Sequence, residues 1–296
     1  MGRIRAWQDS LRTRGERLAE RAQSERQLHK SVDATFQMVD RDSELGGGII
    51  AGALAYRLFI WMLPLALVLV GGLGIAAEAA EETPEEAADS LGMGGLVSHS
   101  IASAATGNGR WYALLIGIPI LVYTTASVLR VLIVSHRLLW TDSRARAQRA
   151  TPVATLRLLV LLLAFPLAAV LASAIRERSP GVGILATALS IVPFAALWML
   201  ISSYLPHRGA SWQALVPGAL LFGVGVEALN VFTAYVLTPW ALNKQGTYGA
   251  LGLAAALLLS LFLISRLVVA AAVLNATLWE RRTPADVSVP AARPLN

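Results

Sequence analysis

Five charged side chains stand where charge is costly. Arg57, Arg130, Arg157, Arg266 and Glu227 each interrupt an apolar stretch long enough to cross a bilayer. A charge at the centre of such a span costs about 2.5–3.5 kcal/mol even on the lenient insertion scale. It is kept where it faces a protein interior, a wet cavity or a partner charge. Arginine in that setting is anion chemistry, because its planar fork donates to phosphate or carboxylate oxygens in pairs. At a rise of ~1.5 Å per residue, Arg57 and Arg266 lie roughly 12–15 Å from the basic end of their spans. Arg130 and Arg157 lie within about two turns of it, where snorkelling of the head to the interface is the plainer reading. Glu227 falls near mid-span. It is the one acidic partner in reach, so a structural ion pair with Glu227 competes with a binding role. Two deep arginines against one carboxylate leave surplus positive charge. The expectation is therefore a basic cavity for an anion or lipid headgroup, lined by Arg57, Arg130, Arg157, Arg266, Glu227, Tyr56 and Asn275.

Catalysis finds little footing. With no cysteine, disulfides, thiolate metal sites and cysteine nucleophiles are excluded. His29, His99, His136 and His207 fall in or beside expected loops without metal-ligand spacing, so neither a metal nor another cofactor is expected. Ser135-His136 and Ser98-His99-Ser100 read as solvated turns rather than nucleophile pairs. The glycine clusters Gly46 to Gly48 and Gly92 to Gly95 lack the lysine and hydroxyl residue of a phosphate loop. No catalytic residue is assigned and no enzyme is expected.

The elements that must carry these charges follow from hydropathy. Of the 296 residues 55% are hydrophobic and 15% charged, against about 25% charged in a soluble domain. Six spans are expected: 46–77, 111–134, 153–175, 181–204, 212–237 and 248–276. The fold class is thus all-α, a polytopic integral membrane protein. Pro64, Pro119, Pro166, Pro193 and Pro217 interrupt the first five spans and mark candidate hinges, where hydroxyls of Tyr56, Tyr123, Thr124, Thr125 and Ser127 are placed to take up freed carbonyls. Glycine and alanine on the fifth and sixth spans suit close helix packing. Lys and Arg number nine before the first span, four in the second loop, one in the fourth and three after the last span, seventeen against four in the other loops, which puts both termini in the cytoplasm. The basic balance of +6 is explained by that bias, and nucleic-acid binding is not expected.

Residues 1–46 form a charged region with amphipathic spacing at Leu11, Leu18, Ala22, Val32, Phe36 and Val39. Its piece from Ser31 to Asp42 is expected to lie along the interface and lead into the first span. Residues 47–277 make the membrane domain and 278–296 a basic, disordered tail. The polar first 45 residues lack a leader pattern, so the first span itself is expected to direct insertion.

Several short strings then carry a resemblance: Ala53-Leu54-Ala55-Tyr56 with Pro64 downstream, Tyr204-Leu205-Pro206, Ala214-Leu215-Val216-Pro217-Gly218-Ala219, Tyr248-Gly249-Ala250-Leu251-Gly252, and Leu274-Asn275-Ala276. In this order the chain resembles the YihY/BrkB family of six-helix inner-membrane proteins, once labelled ribonucleases. The departures are Val273, where the family's closing string carries a glutamate, and the arginines 57 and 266. The resemblance implies a bacterial inner-membrane location and no settled activity; members of the family have been proposed to export or flip lipids and other amphiphiles, which makes membrane lipids the expected partners. The sequence reading is a transporter- or flippase-like protein for an anionic amphiphile. A non-transporting scaffold or regulatory partner acting through the N-terminal amphipathic helix is the alternative.

Overall fold

The computed structural model describes residues 30–80, 109–141, 150–178, 183–233, 235 and 238–282. The expectations for residues 1–29, for most of the acidic loop after the first span, for the basic loop at 142–149 and for the tail beyond 282 lie outside these residues. Seven α-helices and no strand make up the described chain: α1 Lys30–Glu44, α2 Gly47–Ala80, α3 Gly109–Thr141, α4 Pro152–Arg178, α5 Gly183–Tyr204, α6 Trp212–Phe232 and α7 Thr238–Arg282.

Length and hydropathy make α2, α3, α4, α6 and α7 candidate membrane spans, with α5 contributing a shorter apolar stretch, Ser190–Tyr204. The 22 residues of α5 would extend about 33 Å at 1.5 Å each. The chain is thus an all-helical protein built of apolar helices of membrane-crossing length. Large apolar side chains such as Leu115, Leu167, Val192 and Leu220 point outward, as helices solvated by lipid require.

Four boundaries differ from the sequence reading by five residues or more. One is the end of α7 at Arg282, six residues past the expected end at Ala276, so residues 278–282, expected as disordered tail, are helical. The helix α7 begins at Thr238, so the segment before Tyr248, expected as a loop, is helical. The helix α6 ends at Phe232 rather than Leu237. The helix α3 runs on to Thr141, past the point where hydropathy falls, because Leu139 and Trp140 are buried in a second apolar cluster with Ala51, Leu215, Val273 and Ala276. That continuation corrects the reading of Ser135-His136 as a solvated turn. Both are buried in α3, and His136 donates from Nδ1 to the Leu132 carbonyl at 3.2 Å.

The helix α7 is the hub, packing on α1, α2, α3 and α6. Sequence neighbours α2 and α3, α3 and α4, α4 and α5, and α5 and α6 also pack together. The main core joins Leu54, Trp61, Leu121, Val128, Leu158, Trp198, Phe222 and Val268 from α2 to α7. The prolines do not break these helices: Pro64, Pro119, Pro166, Pro193 and Pro217 all lie inside continuous ones. A proline removes one donor and frees one carbonyl, a local loss that neighbouring polar groups make good.

The α1 end of the bundle is polar. The turn at Gly46 takes φ +66°, a left-handed conformation that glycine adopts without a Cβ clash. It folds α1 back so that Asp42 meets Arg266. Further pairs join Arg41 to Glu280 and Arg281 to Asp33, while Arg208 approaches Glu280 at 3.5 Å. Arg41 also donates to the Leu139 carbonyl at 2.6 Å, so α1 is tied to both α3 and α7.

Candidate functional site

An apolar opening lies between α2, α3, α4, α5, α6 and α7, with a volume of about 300 Å³. Every one of the six helices contributes to its wall. Aromatic rings shape it: Trp198 stacks on Phe222 at 4.8 Å between centroids, and Phe165 meets Phe222 edge-on at 5.9 Å. Leu58, Val128, Leu162, Val226, Ile264 and Val268 complete an apolar lining in which Asn230 is the one amide. The exposed residues Pro166, Ala169 and Asn230 stand on its rim, so the space reaches the surface on the α4 and α6 side.

The indole of Trp61 is fixed by a relay. Its Nε1–H donates to Thr125 Oγ1 at 2.9 Å, and that hydroxyl donates to the Leu121 carbonyl at 2.7 Å. Thr124 likewise donates back to its own helix, at 3.0 Å to the carbonyls of Ile120 and Leu121. These carbonyls lie beyond Pro119 and are not the Leu115 carbonyl that this proline frees. Tyr56 and Tyr123, expected in the same service, face outward and are exposed.

The sequence-predicted residues are distributed rather than gathered. Arg266 forms a two-pronged pair with Asp42 on α1, at 2.8 and 3.1 Å. Its partner is therefore Asp42 and not Glu227. The surplus charge inferred from two arginines facing one carboxylate shrinks accordingly. Glu227 is 5% exposed and accepts a 3.4 Å hydrogen bond from Asn230 Nδ2, one turn along α6. Arg57 and Arg130 are exposed on α2 and α3, and neither makes an ion pair among the described residues. Arg130 borders a groove of about 300 Å³ with Ile49, Ile50, Ala53 and Ser135. Arg157 is exposed on α4 and borders a different, smaller groove. None of the four arginines lines the central space, whose wall is apolar where the sequence reading expected a basic one.

Asn275 and Pro217 do come together. Asn275 is 2% exposed. Its Oδ1 accepts from the Gly218 N–H at 2.7 Å and its Nδ2 donates to the Leu215 carbonyl at 3.2 Å. The α7 side chain thus clips both polar senses of the α6 backbone around Pro217. A Cβ on Gly218 would stand 2.4 Å from the Ala271 carbonyl oxygen and 2.5 Å from Asn275 Nδ2. Only glycine lets the two backbones approach this closely. Asn275 is accordingly a helix clamp away from the central opening. Of the proline positions, only Pro166 lines that opening.

Sequence reasoning missed the aromatic wall. Trp61, Phe165, Trp198 and Phe222 lie in uniformly apolar spans, where an aromatic ring gives no contrast against its neighbours. It also missed Asp42 and Glu280, whose partners are distant in the chain.

No curated protein and no solved structure matches the chain. The family model for virulence factor BrkB matches residues 41–296, which takes in the end of α1 and all six longer helices. This chain therefore belongs to the BrkB virulence factor family of membrane proteins.

Proposed function

We propose that this BrkB-family protein is a six-span inner-membrane protein, both termini cytoplasmic, that moves an anionic amphiphile and has no catalytic step of its own. The observation that carries the reading is the apolar opening shared by all six long helices and reaching the surface beside α4 and α6. A lipid tail entering sideways would exchange one apolar surrounding for another, so tail entry itself costs little. Asn230, hydrogen-bonded to the buried Glu227, stands on the rim as a polar contact for the linkage between tail and head. The exposed Arg57, next in sequence to the lining residue Leu58, serves the anionic head from outside the opening.

The test is lipid movement in vesicles reconstituted with the full chain. A fluorescent anionic phospholipid is followed by its loss of protection from an added reductant. Ala169→Phe and Val226→Trp both put bulk into the opening, and both should slow movement at least tenfold in protein that keeps its helix content. Unchanged movement in the two variants would overturn the reading.

The second reading, a scaffold acting through α1, is favoured by one feature. A polar groove of about 440 Å³ runs between α1 and the end of α7, lined by Gln37, Asp40, Arg41, Glu44, Thr277, Glu280 and Arg281. Asp40→Ala together with Glu44→Ala alters the lining of this groove. Loss of function in that variant, with lipid movement intact in vesicles, would select the scaffold reading.

A further inference from the structure

The groove between α3, α4 and α5 holds features that the proposed transport reading does not use. Its volume is about 130 Å³ and its wall is apolar except for Arg157 and Tyr204. The guanidinium of Arg157 lies over the Tyr204 ring at 5.5 Å from the centroid. That stacking occupies a face of the guanidinium and leaves its N–H edge available, with the arginine exposed and Tyr204 61% exposed. No carboxylate pairs with Arg157 among the described residues.

Depth can be argued from the helix start. Thr151 accepts the Ala154 N–H on its Oγ1 at 3.3 Å and Pro152 opens α4, the residue types expected at N-cap and first turn. The 27 residues of α4 span about 40 Å, roughly 10 Å more than the hydrocarbon core. Arg157, about 8 Å along the helix, then sits close to the hydrocarbon edge. Phosphate groups lie just beyond that level, within reach of a long side chain.

We propose that this groove binds one anionic phospholipid of the surrounding leaflet. Its phosphate accepts from the N–H edge of Arg157, the Tyr204 hydroxyl donates beside it, and one acyl chain follows Leu129, Ile133 and Leu161. Arginine is suited to this because its fork matches two phosphate oxygens at once. Tyr204 holds the guanidinium flat in advance, which reduces the ordering lost on binding. A zwitterionic lipid carries the same phosphate but brings an ammonium that Arg157 repels, so net-anionic lipids are preferred. The inference rests on the membrane location and not on the transport reading: Ile201 is common to the groove and the central opening, but Arg157, Tyr204, Leu129, Ile133 and Leu161 line the groove alone.

The experiment is native mass spectrometry of the detergent-purified full chain titrated with phosphatidylglycerol or phosphatidylcholine of matched chains. Phosphatidylglycerol should bind about fivefold more tightly, the equivalent of about 1 kcal/mol for one arginine at an anionic surface. Arg157→Gln should bring the ratio below twofold, Arg157→Lys should keep part of it, and Arg130→Gln should leave it unchanged. Leu161→Trp, which fills the groove and keeps the charge, should weaken both lipids together. A full preference surviving in folded Arg157→Gln would overturn the proposal. So would displacement of the lipid by millimolar inorganic phosphate, which would mark an anion site without a tail groove.

Discussion

Replacing Asn275 with alanine takes away the one side chain that answers the α6 backbone at Gly218. The Gly218 N–H, donated at 2.7 Å in the intact protein, is left buried without its partner. An unsatisfied buried donor costs about 1–3 kcal/mol, while single hydrogen bonds between membrane helices average ~0.6 and reach ~1.7 kcal/mol. The longer bond to the Leu215 carbonyl adds less, since a carbonyl on a helix has its own backbone donor. The expected loss is about 2 kcal/mol, with the exposed donor weighted above the average bond. Asn275→Asp separates the two contacts, because a carboxylate still accepts from Gly218 but cannot donate to Leu215. Gly218→Ala should be at least as damaging, since its Cβ meets the Ala271 carbonyl at 2.4 Å and a backbone atom cannot swing aside. Overpacking of that kind typically costs 1–3 kcal/mol, with about 3 expected here. Reversible unfolding in mixed micelles, followed by helical circular dichroism, measures all three. An Asn275→Ala protein within about 0.5 kcal/mol of the parent would refute the clamp, because that is the range of surface substitutions with no structural role.

Other outcomes follow from the charged end and the indole relay. Asp42→Asn leaves Arg266 without the partner that holds it at 2.8 Å. It should destabilise the fold by about 1–3 kcal/mol, between exposed and buried pairs, and Arg266→Gln on top should restore part of the loss in the same unfolding measurement. Gly47→Ala places a Cβ 2.0 Å from Asp42 Oδ1 and should loosen α1, read as faster amide exchange over residues 33–44 with α2 unchanged. Thr125→Val removes the acceptor of the Trp61 indole and should cost about 1–2 kcal/mol, with a shift in tryptophan fluorescence that Trp61→Phe abolishes.

Most of the architecture was legible because a membrane span announces itself by length and hydropathy. The starts of α2, α3, α4 and α6 lie within two residues of the positions read from apolar stretches. Helix continuation beyond the apolar stretch was not legible. Ser135, His136 and Arg137 lower the hydropathy of α3, yet burial of Leu139 and Trp140 carries the helix through them. The segment before Tyr248 was misread as well, since its polar residues belong to α7 rather than to a loop.

The candidate site was legible in its residue types and not in its pairing. Arg266 is visible in the sequence as a charge needing a partner, but Asp42 stands 224 positions away and belongs to a helix read as an interfacial anchor. Depth counting placed four arginines in one half of the bundle and left the face of each helix undetermined. The structure turns Arg57, Arg130 and Arg157 outward. Pro217-Gly218 and Asn275 were each noticed as motif residues, and only their meeting across α6 and α7 shows that they form one contact.

The central claim is that the opening between the six long helices is the route of an amphiphile's tail. Its most direct test is the rate of anionic phospholipid movement in vesicles containing Val226→Trp, whose indole enters the space beside Trp198 and Phe222. A rate at least tenfold below the parent, in protein with parental helix content and melting behaviour, is the predicted result. A parental rate would contradict the account.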